Sequence, residues 1–512
     1  MSFIGKASPQ VKAEKLGSAF WFNEYLATTD NPLFSLFCTS LLDAIYKCSG
    51  AQRKQVKKHL PQLKILIVNL VIALEYHDGI IAISKRPGTY SAKKRISYRV
   101  MVEQLVDSLV AMGFLEEHLG YGGSLVGVKR SRFEILPIFE TQLRNCGVED
   151  NAIFHTPPER LIVLKDKDKR LVEASEEDAA IREALERQVR QINTRISKSF
   201  VDLILTTDEL TTLRGALRKR KEKSFSNHHN ARRLDLSNKY LYRVFNRSSF
   251  EQGGRFYGGW WGALPKEWRG FITIDNWFTE EIDYSAMHIN LLYNQIGIDP
   301  KNLFQDPYAL EGLDLTYRNT TKQIMLILLN ATTLKKSLKA VNAKAKEEGS
   351  ELSLPKEMKS YSDYIALIER CHEPIKQFIG KDVGVSLQNK DSKIAMNIML
   401  RMDNEHQATC LPIHDSFIVA DPHADALKEI MLQEYKAFTG FECRVATKSE
   451  TRGKVDNEQR RQIIDAMYED EEEQRLGYPA RLAAWAKEND GEDEVQSGDP
   501  ITEKPRRLSA AN

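Results

Sequence analysis

The chain has 512 residues, enough for several domains and a sizeable core. Its 42% hydrophobic and 28% charged residues, with a net charge of +2, are those of an ordinary soluble globular protein and indicate no function. Six cysteines without a CxxC pair argue against a zinc ribbon or a disulfide framework and suit a reducing compartment. The N-terminus carries no apolar signal segment, so we expect a cytoplasmic protein with no membrane partner.

Residues 1–150 alternate between helical and strand-like patterns. Apolar residues crowd one face of a predicted helix at 62–76, whose most apolar stretch is too short to span a membrane. The strand-like IIAI (80–83) and a second predicted helix at 97–112 follow. FLEEHL and SLVGVKRSRFEIL then read as two strands joined by the glycine turn GYGG.

This order resembles a winged helix-turn-helix domain, in which one helix enters the major groove and the hairpin contacts phosphates. The resemblance implies a DNA-binding domain over 1–150, with the hairpin residues Lys129, Arg130 and Arg132 against DNA. The alternative is a small α+β domain whose basic residues are only solvated.

Residues 151–240 are predicted to form a helical connector or thumb-like region. A long helix follows Ser175-Glu-Glu-Asp178, with Ile181, Leu185, Val189, Ile192 and Ile196 on one face. The run at 214–233 is strongly basic and has no apolar period, which predicts an exposed loop. Such a loop is either a solvated surface or a phosphate contact along a duplex.

Two β-rich runs, ITIDNWFTEEIDYS and TCLPIHDSFIVA, each carry a conspicuous aspartate. Nucleotidyl transfer needs two carboxylates on neighbouring strands to hold two Mg²⁺ ions. Asp283 and Asp415 are 132 residues apart (415 − 283), which leaves room for a helical subdomain between the strands. They are therefore our candidate catalytic metal ligands.

A helical segment between the two aspartates, YRNTTKQIMLILLNATT, repeats polar residues every four positions. Arg318, Lys322, Leu326 and Asn330 line one side of this predicted helix. Two cations one turn apart can grip a nucleoside triphosphate, and Lys322 can protonate the departing pyrophosphate. Upstream, GGRFYGGWW (253–261) pairs Arg255 with aromatics, which suits either a nucleic-acid channel or a packed loop.

Four segments together resemble the palm and fingers of A-family DNA polymerases. DYSAMHI (283–289) is similar to their DYSxIE motif, and RNTTK with Leu326 and Asn330 to RxxxKxxxFxxxY. LPIHDSF resembles their HDE motif and is closer to the HDS of single-subunit phage-type RNA polymerases. LQNKDSKIAMNIML (387–400) is similar to the helix that precedes this last motif. The resemblance covers about residues 241–450.

The resemblance implies an α+β right-hand fold, with an antiparallel palm sheet and helical fingers over 241–455. It implies metal ligation by Asp283, Asp415 and the carbonyl of Tyr284. Substrate contacts would come from Arg318, Lys322, His288, Asn330 and Tyr284, and nucleic-acid contacts from Arg255, Gln388 and His414. His288 replaces the glutamate that helps the DNA polymerases exclude the ribose 2′-hydroxyl, which leaves the preferred sugar open.

The sequence therefore predicts a template-directed polymerase, with a DNA polymerase as first choice. The expected partners are a DNA primer–template, nucleoside triphosphates and replication proteins. The alternatives are an RNA polymerase or primase of the same superfamily, or a catalytically inactive DNA-binding initiator or regulator. Residues 456–512 are expected to be an acidic tail with two helices, disordered from Gly491 onward.

Overall fold

A computed structural model describes residues 16–29, 31–50, 55–90, 95–118, 131–219, 232–347, 349–447 and 457–489. With 55% helix and 16% strand, and with antiparallel sheets, the predicted α+β class is confirmed. The chain forms two compact units, Met1–Glu159 with Leu205–Lys239 and Arg160–Ile204 with Tyr240–Asn512. The predicted connector at 151–240 is thus shared between the units.

The helices are named in chain order: α1 (Pro32–Ser49), α2 (Val56–Tyr76), α3 (Asp107–Ala111), α4 (Pro137–Arg144), α5 (Ala179–Ser197), α6 (Thr207–Lys219), α7 (Met287–Gln295), α8 (Arg318–Asn330), α9 (Leu334–Ala345), α10 (Tyr361–Cys371), α11 (Gly384–His406), α12 (Ala424–Thr439), α13 (Asn457–Glu469), α14 (Glu471–Leu476) and α15 (Tyr478–Asn489).

The strands are β1 (Phe20–Trp21), β2 (Leu26–Thr28), β3 (Ile80–Ile83), β4 (Leu115–His118), β5 (Ser131–Ile135), β6 (Ile153–His155), β7 (Ile162–Lys165), β8 (Leu171–Val172), β9 (Val201–Leu203), β10 (Leu241–Asn246), β11 (Ser249–Gly258), β12 (Ile272–Ile274), β13 (Trp277–Tyr284), β14 (Leu411–Ile413), β15 (Ser416–Ala420) and β16 (Val445–Thr447).

The first unit is built around α2, which begins at Val56 rather than at Gln62. At 21 residues it is the one helix of the described chain that is long and apolar enough to cross a membrane. Of its most apolar window, 67% is buried inside the protein. Asn69 is a polar residue within this apolar stretch, and its side chain is hydrogen-bonded to the backbone of Asn23. This helix therefore packs as the centre of a core.

The sheet of the first unit has the strand order β1-β3-β5-β4, and β5 is antiparallel to both β3 and β4. The helix predicted at 97–112 is a π-helical stretch, Arg99–Val106, that continues into α3. Arg132 donates from Nε to the carbonyl of Leu16 at 3.0 Å. Lys129 and Arg130, predicted at the hairpin, lie outside the described residues.

The second unit contains two sheets. The larger has the order β14-β15-β13-β12-β9, all antiparallel, and β16 also pairs with β13. The smaller has the order β11-β10-β7-β8. The long helix α11 packs on β11, and its Asp403 binds Arg195 of α5 at 2.5 Å. On α5, Val189, Ile192 and Ile196 are buried as predicted, whereas Ile181 is largely exposed.

The predicted polar tail is folded on the larger sheet as far as Asn489. Tyr478 is 1% exposed, and its hydroxyl bonds Thr273 and Asn276 at 3.1 and 2.9 Å. Arg481 binds both carboxylate oxygens of Asp202 on the edge strand β9. The sequence did not predict this packing of the tail on the sheet, because it depends on a few buried residues that are separated by many charged ones. The disorder predicted from Gly491 lies outside the described residues.

Candidate active site

The two predicted catalytic aspartates lie at the same end of neighbouring strands. Asp283 is the penultimate residue of β13 and is paired in register with Ser416, the first residue of β15. Asp415 immediately precedes Ser416, and its carbonyl accepts from the Tyr284 backbone N–H at 3.3 Å. Both carboxylates are half-buried. Strand pairing thus brings together two acids that are far apart in sequence.

Unusual backbone geometry flanks both aspartates. The two-residue turn between β14 and β15 places His414 at φ 61°, in the left-handed region. Ala286, three residues after Asp283, has φ 51° where the chain enters α7. Residues without glycine's freedom take this conformation at a cost of about 1–3 kcal/mol, and such residues cluster at functional sites. His414 is therefore exposed at the tip of this turn, and the same turn fixes the position of Asp415.

A buried polar layer supports these strand ends. Glu281, 6% exposed, accepts from the Ser416 hydroxyl at 2.9 Å and faces Arg269 at 3.4 Å. The hydroxyl of Tyr284 donates to the carbonyl of Met431 at 2.6 Å, and burial raises the pKa of this phenol. The side chain of Tyr284 is therefore structural, and only its backbone carbonyl stays a predicted metal ligand.

The predicted cationic helix forms as α8, and Arg318, Lys322, Leu326 and Asn330 all lie on its exposed face. Arg318 forms an ion pair with Asp306. The guanidinium of Arg318 and the Lys322 Nζ lie 5.5 and 5.9 Å from the ring centre of Tyr308. Asn330 bonds within its own helix, to the carbonyl of Leu326 at 2.8 Å.

Tyr308 links these cations to the two aspartates. It is 9% exposed, and burial followed by the charge of Asp415 raises the pKa of its hydroxyl. Arg318 acts in the opposite direction, and Asp283 adds to the rise. The charges of Arg318 and of both aspartates thus act on this one hydroxyl.

Arg255, His288 and Asp391 form a second polar cluster. The Asp391 carboxylate, 2% exposed, accepts from Arg255 Nε at 3.0 Å and from the other end of the same guanidinium. His288 Nε2 lies 2.8 Å from the same carboxylate and 3.1 Å from Arg255. Since an ionised carboxylate only accepts, His288 donates from Nε2.

The charges in this cluster compensate one another. Burial would raise the pKa of Asp391, but the His288 hydrogen bond and the charge of Arg255 lower it. Burial would lower the pKa of Arg255, but the charges of Asp391 and Asp415 raise it. Asp391 is therefore a carboxylate and Arg255 a guanidinium near neutral pH.

A glycine makes this cluster possible. Gly254 has φ 89°, and a Cβ there would lie 2.6 Å from Phe245 and 3.0 Å from the Ser392 hydroxyl. Without a side chain at this position, β11 and α11 approach closely enough for Arg255 to meet Asp391. Residues 253–258 lie in the strand β11, and the neighbouring Trp260 and Trp261 are 4% and 0% exposed, so these two aromatics pack in the interior. A contact of Arg255 with nucleic acid stays a prediction.

Several residues of the site were not identified from sequence. Asp391 stands one turn after Gln388 on α11, and it is Asp391 that meets Arg255. Gln388 is half-buried, and its role stays a prediction. Tyr308 and Asp306 lie in an irregular loop, where no periodicity marks them. The one available signal for Asp391 was an acid within a mainly apolar helix face, where a buried charge requires a partner.

The strand-end oxygens suit a hard cation. Mg²⁺ is commonly held by one or two carboxylates together with substrate phosphates. Asp283 and Asp415 supply such oxygens on adjoining strands. In the first unit, Glu116, His118 and Glu134 also place ligand atoms within 4.8 Å of one another. A hydrogen bond between His118 Nε2 and the Glu134 carboxylate at 3.0 Å accounts for that group without a metal.

Comparison with known proteins adds no assignment. The sequence matches no model of a known protein family, and a search of curated proteins finds no significant similarity.

Proposed function

We propose that this chain is a template-directed nucleic-acid polymerase that adds nucleotides to a 3′-hydroxyl. The observation that carries the proposal is the position of Asp283 and Asp415 at the same end of the paired strands β13 and β15, with Arg318 and Lys322 on the exposed face of α8, which the chain forms between them. Carboxylates for metal ions and cations for a triphosphate are the two charge sets that nucleotidyl transfer requires. A DNA polymerase is the first assignment, and an RNA polymerase is the alternative.

Two Mg²⁺ ions would be held by Asp283 and Asp415, with the Tyr284 carbonyl as a further oxygen ligand. When bound, Mg²⁺ activates the attacking hydroxyl and offsets negative charge on the phosphates. The protein's own contribution is to hold both carboxylates at fixed strand ends. The hydrogen bond from Ser416 to Glu281, directly below them, restrains both strands.

The exposed face of α8 would bind the triphosphate. Arg318 is paired with Asp306, so it is held in place before the substrate arrives. No ion pair involves Lys322 within the described residues, and its ammonium is exposed. Lys322 is thus the better candidate to give a proton to the departing pyrophosphate.

The first unit would dock on DNA as a winged helix. Support comes from the antiparallel order β3-β5-β4 and from the helical segment that precedes β4, which together match the arrangement expected of that fold. Binding of duplex DNA by the full chain at several salt concentrations tests this, because phosphate contacts require a steep salt dependence.

Primer extension with Mg²⁺ tests the catalytic proposal. Asp283→Asn and Asp415→Asn should each reduce single-turnover extension about 1,000-fold, equivalent to roughly 4 kcal/mol of transition-state stabilisation. Glu280→Gln is the matched control, because it changes a carboxylate on β13 that lies on the opposite face from Asp283. It should extend normally.

Separate reactions with dNTPs and NTPs decide between a DNA and an RNA polymerase. A wild-type protein that extends nothing with either set, yet binds duplex DNA, refutes the proposal in favour of a DNA-binding initiator. Full activity in either aspartate variant refutes the assignment of metal ligands.

A further inference from the structure

We propose that the exposed face of α9 binds single-stranded nucleic acid. This twelve-residue helix carries Lys335, Lys336, Lys339 and Lys344, it contains no acidic residue, and Lys346 follows its end. None of these lysines belongs to the candidate active site. Under the proposed function, on which this identification rests, the strand is the template ahead of the primer end.

Three of the lysines form a continuous stripe. At 100° per residue, Lys335, Lys339 and Lys346 lie within about 40° of one another, and they extend over about 16 Å. All three are exposed, as is Asn342 between them. Closely spaced phosphates of a nucleic-acid strand match such a row of cations.

The lysines of this stripe are not held in ion pairs within the described part of the chain. None of its three lysines forms an ion pair there. Lysines elsewhere in this unit do so, as with Lys393 and Glu251 at 2.6 Å. Exposed lysines that are not held in ion pairs are available to an anionic partner.

The sequence at the start of α9 also opposes helix stability. Lys335 and Lys336 occupy the first turn, which has no acidic residue. Cations at a helix N-terminus face the positive end of its dipole, at a cost of about 0.3–1 kcal/mol each. Thr333 caps the helix by accepting from the Lys336 N–H, but it adds no negative charge. Two lysines placed unfavourably in a first turn point to a functional reason, here an anion outside the protein.

A cavity of about 670 Å³ opens beside this first turn. It is lined by Thr333 and Leu334 and, from the other side, by Glu369, Glu373 and Gly380. Its size is within the range of about 300–1,000 Å³ found for ligand sites. The two carboxylates can accept hydrogen bonds from the ring N–H or amino groups of an unstacked base, including the N3–H of thymine. A duplex keeps its bases stacked and paired, so a cavity beside a cationic stripe favours a single strand.

The position of α9 in the chain suggests which strand it would hold. Only residues 331–333 separate it from α8, whose exposed face belongs to the candidate active site. In a primer–template, the single-stranded part is the template beyond the primer end. A strand leaving the active site along α8 would therefore reach the stripe.

Salt-dependent binding tests the inference without catalysis. Binding of a fluorescent oligo(dT) strand to the full chain is measured between 50 and 300 mM salt in EDTA. Lys335→Gln/Lys339→Gln should lower the slope of log K against log salt by about 1.4, at roughly 0.7 per lost phosphate contact on a single strand. Lys356→Gln/Lys359→Gln removes two exposed lysines from a nearby loop and should leave the slope unchanged.

The inference is overturned if both double variants behave alike, or if the stripe variant loses blunt-duplex binding to the same extent as single-strand binding. Failure of the wild type to bind oligo(dT) at 50 mM salt also overturns it. If the wild type extends no primer but Lys335→Gln/Lys339→Gln still lowers the salt slope, the proposed function is refuted and the single-strand surface is retained.

Discussion

Replacing Asp391 by asparagine should strongly destabilise the second unit. The asparagine has the shape of the aspartate, but it has one acceptor oxygen instead of two and no charge. Its NH₂ group would face the guanidinium of Arg255 or the imidazole of His288, both of which donate to Asp391. The Arg255 charge, on a side chain only 15% exposed, would then lack its counter-ion.

The magnitude follows from this burial. Removing one partner of a buried ion pair costs about 3–5 kcal/mol, because the other charge stays desolvated. The Asp391 side chain is 1% exposed, which places the variant within that range. Asp403→Asn, on the same helix, removes a carboxylate that is 12% exposed, against 1% for Asp391. Water reaches that ion pair more readily, so we expect a smaller loss of about 1–2 kcal/mol.

Urea unfolding followed by tryptophan fluorescence measures both losses, since Trp260 and Trp261 are buried in this unit. The contribution of Asp391 also has a defined pH dependence. Its folded pKa is below the ordinary 3.8, so the stabilisation is complete well above pH 4 and disappears as the pH falls through the folded value. Asp391→Asn should remove that acid-sensitive part.

A double variant separates charge compensation from packing. Arg255→Met combined with Asp391→Leu removes both charges, and replacing a buried pair by apolar residues is often neutral. It should therefore be more stable than Asp391→Asn alone. A loss below about 1 kcal/mol in Asp391→Asn, or a double variant no more stable than Asp391→Asn, would refute the reasoning.

Three further outcomes are expected. Lys322→Gln should slow single-turnover extension about 100-fold or more, while Lys322→Arg should be less affected if charge rather than proton transfer is needed. In the first unit, burial lowers the pKa of His77 to about 4, so acidification from pH 6.5 to 4 should destabilise the unit by up to about 3 kcal/mol. Hydrogen exchange of α2 amides measures this, and His77→Asn should reduce the dependence. Arg481→Leu, which leaves Asp202 without its bidentate partner, should cost about 2 kcal/mol. Limited proteolysis should then release residues 457–489 faster than in the control Arg475→Leu.

The sequence predicted those features that depend on the spacing of residues along the chain. The four-residue repeat predicted that Arg318, Lys322, Leu326 and Asn330 share one face, since a helix returns to the same side after about one turn. The β-rich runs around Asp283 and Asp415 likewise formed strands. These features are set by bonds and periodicities within a few residues.

Tertiary structure decided what meets these residues. Asp391 lies 136 positions after Arg255 (391 − 255), and their contact depends on the close approach that Gly254 permits. The docking of Tyr478 and Arg481 on the larger sheet also joins distant segments. The sequence thus determined the catalytic candidates and their helix face. Only packing determined their neighbours, because a buried charge finds its partner through space and not along the chain.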